Sequence, residues 1–214
     1  MRLPSQRRSV TSDREPGGPA DAEVPGRAAV PSTLGFVNVG PSLSLAEWAV
    51  LALISEHPTH GFAIAQLTAP SGDLGRIWHI PKPVIYRAIG RLEEAGLVAP
   101  QTVEPGRGPQ RTIYAATPPG RKAAAAWLDT PVEHIRDVRS QLLIKLALLD
   151  RAGTDPTGLL QRQKIILQPI ASAISAERPQ RQGFDATLLA WRRASAAAAL
   201  NFLDDVTSPS ASRA

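Results

Sequence analysis

The sequence predicts a mainly α-helical protein, in which three helices and a two-stranded hairpin precede an all-helical tail. Two observations lead to this prediction. Aromatic residues make up only 5% of the 214 residues, and the abundant Ala, Leu, Ile and Val form a composition that favours helix. From about residue 42, apolar residues recur at helical spacing, and two short strand-like runs interrupt them between about 97 and 116.

Four segments are expected along the chain. Residues 1–40 are rich in proline and glycine and poor in apolar residues, and such a segment cannot bury enough surface to offset its ordering entropy. We therefore expect a disordered N-terminal arm over 1–40. A first folded domain is predicted over 41–130 and a helical dimerisation domain over 131–207, with a disordered C-terminus at 208–214.

Caps and breaks mark the first two helices. Ser44 and Glu47 have the spacing of a capping box, and the largely apolar residues behind it predict a buried helix that stops near His57. Thr59 is expected to cap a short second helix. The proline and glycine of 69–72 then end that helix.

A third helix and a hairpin complete the first domain. The helix is predicted to open at Pro81–Pro83 and to stop at Gly96. Strand-like runs over 97–103 and 111–116 follow, with a basic, glycine-containing tip between them. Three helices followed by a two-stranded wing is the order of a winged helix-turn-helix, whose third helix enters the major groove of DNA. The buried stripe of the third helix is predicted to be Ile85, Ala88, Ile89 and Leu92.

The tail is predicted to be helical throughout. Thr117 is expected to cap a helix that runs to about residue 128, and three more helices are expected over 136–150, 155–176 and 185–205, with Pro169 as a kink. The apolar faces of these helices have no evident domain of their own to pack into. This favours packing against a partner chain.

The motifs at 43–47, 60–64, 84–98 and 114–120, together with the glycine-arginine wing, occur in an order and spacing that resemble the PadR-type transcriptional regulators. The resemblance covers about 43–128, and the Leu-rich segment 142–148 is similar to the helical C-terminal region of that family.

The resemblance implies a homodimeric repressor that binds a palindromic operator in double-stranded DNA and dimerises through its C-terminal helices. Some members of the family sense small, often aromatic molecules, and the resemblance leaves open whether an effector of this kind releases the present chain. The chain departs from the family pattern at Pro81–Pro83, where many relatives carry a hydroxyl residue.

Cations on the outer face of the third helix and at the wing are the candidate DNA contacts. Arg87 and Arg91 are four residues apart and share a helix face, and arginine can bind O6 and N7 of guanine together. Alternatively, they are solvated charges paired with Glu93 or Glu94, Tyr86 packs on the second helix, and the wing cations serve solubility. The predicted DNA-binding residues are Thr59, His60, Lys82, Tyr86, Arg87, Arg91, Arg107, Gln110 and Arg111.

Trp48 and Trp127 are the candidate effector-binding residues. They lie in helices that are expected to approach the dimer axis, where family members can hold flat ligands. The alternative for both is packing in the core or at an interface.

Other function classes have little support in the sequence. The chain has no cysteine and a formal charge of +5, which permits nucleic-acid binding without demonstrating it. No apolar run approaches the roughly 18 residues of a membrane span, and no signal peptide is evident, so we expect a cytoplasmic protein without membrane contact. No catalytic residues, metal site or cofactor are predicted, and an enzyme is not expected.

The rival function is a winged-helix protein–protein interaction module without specific DNA binding, whose recognition face should lack cations.

Overall fold

The computed structural model describes residues 42–104, 111–179 and 182–208. The arm predicted over 1–40, the terminal residues 209–214 and the wing tip at 105–110 lie outside these ranges. Within them the elements are α1 (Leu45–Glu56), α2 (Gly61–Leu67), α3 (Lys82–Glu94), β1 (Val98–Glu104), β2 (Arg111–Ala116), α4 (Pro118–Asp129), α5 (Ile135–Asp137), a π-helical turn (Val138–Leu142), α6 (Leu143–Arg151), α7 (Thr157–Ala176) and α8 (Phe184–Thr207).

Helix α1 is the centre of the winged helix. It packs against α3, α4, β2 and α6, which explains why its sequence is apolar almost all round. The predicted capping box is confirmed. The Ser44 N–H donates to Glu47 Oε2 at 2.6 Å, and the Glu47 N–H donates to Ser44 Oγ at 3.4 Å.

The cap of α2 differs from the prediction. The side chain that caps this helix belongs to His60, whose Nδ1 accepts from the Ala63 N–H at 3.0 Å, so the assignment of the cap to Thr59 was wrong. The backbone N–H and C=O of Thr59 instead pair with Tyr114 of β2 at 2.9 and 2.8 Å. This pairing adds Thr59 to the edge of the hairpin and moves the start of the helix one residue along the chain.

Helix α3 and the wing follow the sequence prediction. The four predicted stripe residues are all buried, and Gly96 ends the helix region with a φ of 68°, which favours glycine. Strands β1 and β2 form one antiparallel pair, and its register is irregular between Pro100 and Thr102. Proline has no N–H to donate to the ladder, which accounts for the irregularity at this point.

The tail contains one element that the sequence did not predict. In place of one continuous helix over 136–150, the π-helical turn Val138–Leu142 separates α5 from α6. The wider turn changes the helical phase, and α6 then contributes to two cores. Ile144 and Leu148 join the core of the winged helix, whereas Leu149, together with Leu142 at the end of the π-helical turn, joins the core built by α7 and α8.

Helices α7 and α8 form an antiparallel pair. Ion pairs join Lys164 to Asp204 near one end and Arg192 to Glu177 near the other end. No helix in the described part of the chain is long and apolar enough to cross a membrane.

Buried polar groups hold the connector between the winged helix and the tail. Gln163 is fully buried. Its Nε2 donates to the Val132 carbonyl at 2.8 Å, and its Oε1 accepts from the Val132 N–H at 2.7 Å. Lys145, also fully buried, donates through Nζ to the Thr130 carbonyl. We call Gln163 and Lys145, with the connector residues 130–132, the connector clamp.

Replacing Gln163 should destabilise the fold, because the change leaves the buried N–H and C=O of Val132 unpaired. We expect Gln163→Leu to lower the free energy of unfolding by about 2–4 kcal/mol, as measured by urea denaturation. Gln161→Leu is the matched control, since Gln161 is exposed on the same helix, and it should change the value by less than about 0.5 kcal/mol. Equal stability of the two variants would show that the hydrogen bonds of Gln163 to Val132 contribute nothing to stability.

Candidate nucleic-acid interface

The outer face of α3 presents Lys82, Tyr86 and Arg87 to solvent. In the described ranges, neither Lys82 nor Arg87 has an acidic partner within ion-pair distance. Tyr86 remains 55% exposed, yet its ring lies close against Gly61 of α2. The approach is so close that a Cβ added at Gly61 would lie only 2.7 Å from Tyr86 Cε1. The ring therefore packs on α2 while about half of the residue remains exposed to solvent.

Arg91 has a partner that the sequence did not predict. Its Nη1 lies 3.1 Å from Oε1 of Glu47, the capping residue of α1, whose side chain is only 5% exposed. The partners considered from the sequence were Glu93 and Glu94, which are neighbours along the helix. The observed pair instead joins the C-terminal part of α3 to the first turn of α1. Arg91 therefore helps to hold α3 against α1, whereas Arg87 has no ion-pair partner in the described ranges.

Phe62 brings two of the predicted cations together and was missed by the sequence argument. Lys82 Nζ lies 5.2 Å from the centroid of the Phe62 ring, and the guanidinium carbon of Arg111 lies 5.1 Å from it. The His60 ring is close as well, at 6.3 Å between centroids. A phenylalanine in the first turn of the predicted second helix was the sequence signal for this role, but its exposure could not be predicted from the sequence.

The remaining predicted residues differ in how well they can reach a ligand. Because His60 Nδ1 accepts a backbone hydrogen bond, the neutral ring carries its hydrogen on Nε2, which is free to donate outward. Thr59 is only 9% exposed and its backbone is paired, which limits its reach to a ligand. Arg107 and Gln110 lie outside the described residues.

Trp48 and Trp127 stack face to face, with 5.6 Å between ring centroids and 3° between ring planes. Trp127 is buried, and the ammonium of Lys145 lies 4.9 Å from its ring centroid. These contacts correspond to the packing alternative, and a role in effector binding stays a prediction. The indole Nε1 of Trp127 is buried and has no hydrogen-bond partner among the described residues.

Burial also changes the acidity of Lys145. Removal of the ammonium from water lowers the pKa of Lys145 from 10.5 to about 8, and the nearby charge of Asp129 opposes this shift. Among the described residues, no group of three His, Asp or Glu side chains is arranged to hold a metal ion.

These features define a class of protein. Three helices, the third with exposed cations on its outer face, are followed by an antiparallel wing whose second strand begins at Arg111, and this is the architecture of a winged helix-turn-helix protein. The sequence model described as "Transcriptional regulator PadR-like family" matches residues 50–126. This segment of the chain is therefore similar to the PadR-like family of transcriptional regulators, and the order of its helices and strands agrees with that likeness.

The chain is also similar to solved structures. Bacillus subtilis PadR in complex with operator DNA is 17% identical, with 76% of this chain and 97% of that chain covered and a TM-score of 0.38. The same protein in complex with p-coumaric acid is 15% identical, with coverages of 77% and 97% and a TM-score of 0.37. A Streptococcus mutans protein is 17% identical, with coverages of 74% and 96% and a TM-score of 0.36. No curated protein sequence matches the chain significantly.

The lowered pKa of Lys145 makes stability depend on pH. Between pH 8 and 10.5 the unfolded chain binds more protons than the folded protein, so the free energy of unfolding rises with pH in this window. We expect the stability of the wild type relative to Lys145→Met to rise by roughly 2–3 kcal/mol from pH 7 to pH 10, as measured by urea denaturation.

Lys122→Met serves as the control for this experiment, because Lys122 is exposed on α4 and should leave the stability difference unchanged across the same pH range. A constant difference for Lys145→Met would show that the buried ammonium ionises like an ordinary lysine.

Proposed function

We propose that the chain is a sequence-specific DNA-binding transcriptional repressor that acts in the cytoplasm as a homodimer on a palindromic operator. One observation carries the DNA-binding part of this proposal. Lys82 at the start of α3 and Arg111 at the start of β2 flank the same Phe62 ring, and Arg87 is exposed further along α3. A recognition helix and a wing that present positive charge together suit the groove and the backbone of duplex DNA.

The positions of these residues favour two kinds of DNA contact, one to a base edge and one to the phosphates. Arg87 lies on the outer face of α3 without an acidic partner in the described ranges, where a guanidinium can bind a base edge with two hydrogen bonds. Lys82 and Arg111, held at Phe62, and His60 at the start of α2 lie at the border of this face. Contacts to phosphate suit these residues, because phosphate contacts fix orientation and register on the duplex.

The alternative function, a winged helix used only for protein–protein contact, is disfavoured by the same face. The recognition face of such a module should lack cations, since the core of a protein interface is depleted of charged residues overall and of lysine in particular. The outer face of α3 instead carries two exposed cations, which would lose hydration in a protein interface without a compensating acid.

The homodimer is supported by an apolar stripe on α8. Phe184, Leu188 and Trp191 are 75%, 45% and 71% exposed. They are spaced by four and three residues and therefore lie on one helix face. A second copy of the chain can cover this stripe with its own, since a two-fold interface uses the same surface on both subunits. The two-fold axis would also match a palindromic operator.

The effector part of the proposal concerns Trp48 and Trp127. Their stacked rings lie between the winged helix and α6, and the buried indole N–H of Trp127 has no partner among the described residues. A small aromatic molecule with a hydrogen-bond acceptor is the kind of ligand that such a donor would recognise.

DNA binding is tested by a gel shift with the DNA upstream of the gene that encodes the chain. At physiological salt, and in the presence of competitor DNA, we expect a specific shift. Arg87→Ala should weaken specific binding by about 1–3 kcal/mol if Arg87 binds a base. Arg136→Ala is the charge-matched control, since its side chain is 79% exposed in the tail, and it should bind like the wild type.

The absence of a specific shift for the wild type would count against a repressor and in favour of the interaction module. A specific shift that Arg87→Ala leaves unchanged would remove Arg87 from the recognition surface while leaving DNA binding intact.

Dimerisation is tested by Trp191→Asp, which places a charge in the apolar stripe. Because a desolvated tryptophan can contribute 2 kcal/mol or more to an interface, we expect the dissociation constant of the dimer to rise at least about 30-fold, as measured by sedimentation equilibrium. Ala190→Asp, exposed on another face of α8, should remain dimeric. A Trp191→Asp protein as dimeric as the wild type would mean that the dimer uses a different surface.

A further inference from the structure

We propose that Phe62 is a positioning residue for DNA binding, whose ring holds the Lys82 and Arg111 cations ready for the phosphates of one backbone segment. This inference rests on the proposed function, because it concerns how the same surface binds DNA. It goes beyond that function by assigning a role in DNA affinity to an apolar side chain that carries no charge.

The geometry places one ring at the meeting point of two elements. Lys82 begins α3 and Arg111 begins β2, and both cations lie within about 6 Å of the Phe62 centroid, the range of a cation–π interaction. Since each cation is about 5 Å from the same point, the two are separated by at most twice that distance. Phe62 therefore joins the start of the recognition helix to the start of the second wing strand.

Packing into the core does not explain this position. Phe62 is 36% exposed, whereas the neighbouring residues Ile64 and Ala65 of the same helix are buried. Its described ring contacts are with the Lys82 and Arg111 cations and with the His60 ring. A ring that served only to fill the core would be expected on the other face of α2, beside Ile64.

The ring offers a physical advantage to a surface that binds DNA. Two like charges at this separation repel each other, and long flexible side chains lose considerable entropy when they are fixed. Attraction to the negative face of the ring opposes the repulsion and limits the motion before DNA arrives. Each DNA strand carries one phosphate per 3.4 Å of helix axis, so two cations at this spacing can meet phosphates that are close together on one strand.

The test compares variants at Phe62 on the duplex used in the gel shift, by fluorescence anisotropy over a series of salt concentrations. Phe62→Leu keeps an apolar side chain but removes the π face. We expect it to weaken binding about 3- to 10-fold and to make the salt dependence of the affinity shallower by about one phosphate contact. Phe62→Trp keeps a π face and should retain both the affinity and the salt dependence.

Two controls separate positioning from folding. Phe202→Leu makes the same substitution at a partly buried phenylalanine in the tail core, and should leave the salt dependence of binding unchanged even if it lowers thermal stability. In a double variant with Arg111→Gln, the Phe62→Leu effect should shrink, because the ring then has only one cation to hold.

The outcomes distinguish the two proposals. If the wild type does not bind the duplex specifically, the proposed function fails, and the role of Phe62 fails with it. If the wild type binds and Phe62→Leu matches it in affinity and salt dependence, only the positioning role is overturned. Equal losses in Phe62→Leu and Phe62→Trp would also overturn it, because the π face would then not be what matters.

Discussion

The connector clamp is the constraint on which the relation between the winged helix and the tail depends. A short connector between α4 and α5 is held by two fully buried side chains, Lys145 from α6 and Gln163 from α7. A buried amide that satisfies both backbone groups of one residue is directional, since leaving either group unpaired costs free energy. The clamp therefore selects one arrangement of the connector, whereas apolar packing alone would tolerate several.

Lys145 of the clamp belongs to α6, the helix that contributes to two cores. The π-helical turn ahead of α6 turns Ile144 and Leu148 toward α1, while Leu149 faces α7 and α8. Lys145 lies between these apolar contacts, with its ammonium over the Trp127 ring and bonded to the connector. A change at the tryptophan pair would thus act on the residue that fixes the connector.

Four consecutive residues at the start of α2 organise the opposite side of the winged helix. Thr59 pairs with the second wing strand, His60 caps α2, Gly61 allows the Tyr86 ring of α3 to approach, and Phe62 lies beneath cations of α3 and the wing. The recognition helix and the wing are therefore fixed to each other through α2. On the far side, the pair between Arg91 and Glu47 fixes α3 to α1, so the outer face of α3 is held from both sides.

The elements whose signals are local could be predicted from the sequence. A capping box, prolines in first turns, the stop at Gly96 and an apolar stripe at helical spacing depend on residues a few positions apart, and all of them are found in the structure. The order of the elements, and with it the winged helix and the cationic face of α3, followed from these signals.

What the sequence could not determine depends on partners far apart along the chain. The residue that caps α2 is His60 and not Thr59, because Thr59 pairs with a strand some 55 residues away along the chain. Arg91 found its partner on α1 and not among its helical neighbours, and the cations met at a ring on α2. The sequence by itself therefore determined which segments form helices, strands and an exposed basic face. Only the tertiary structure decided which charges are paired and which face outward, because burial and ion pairing depend on distances in space that local spacing does not encode.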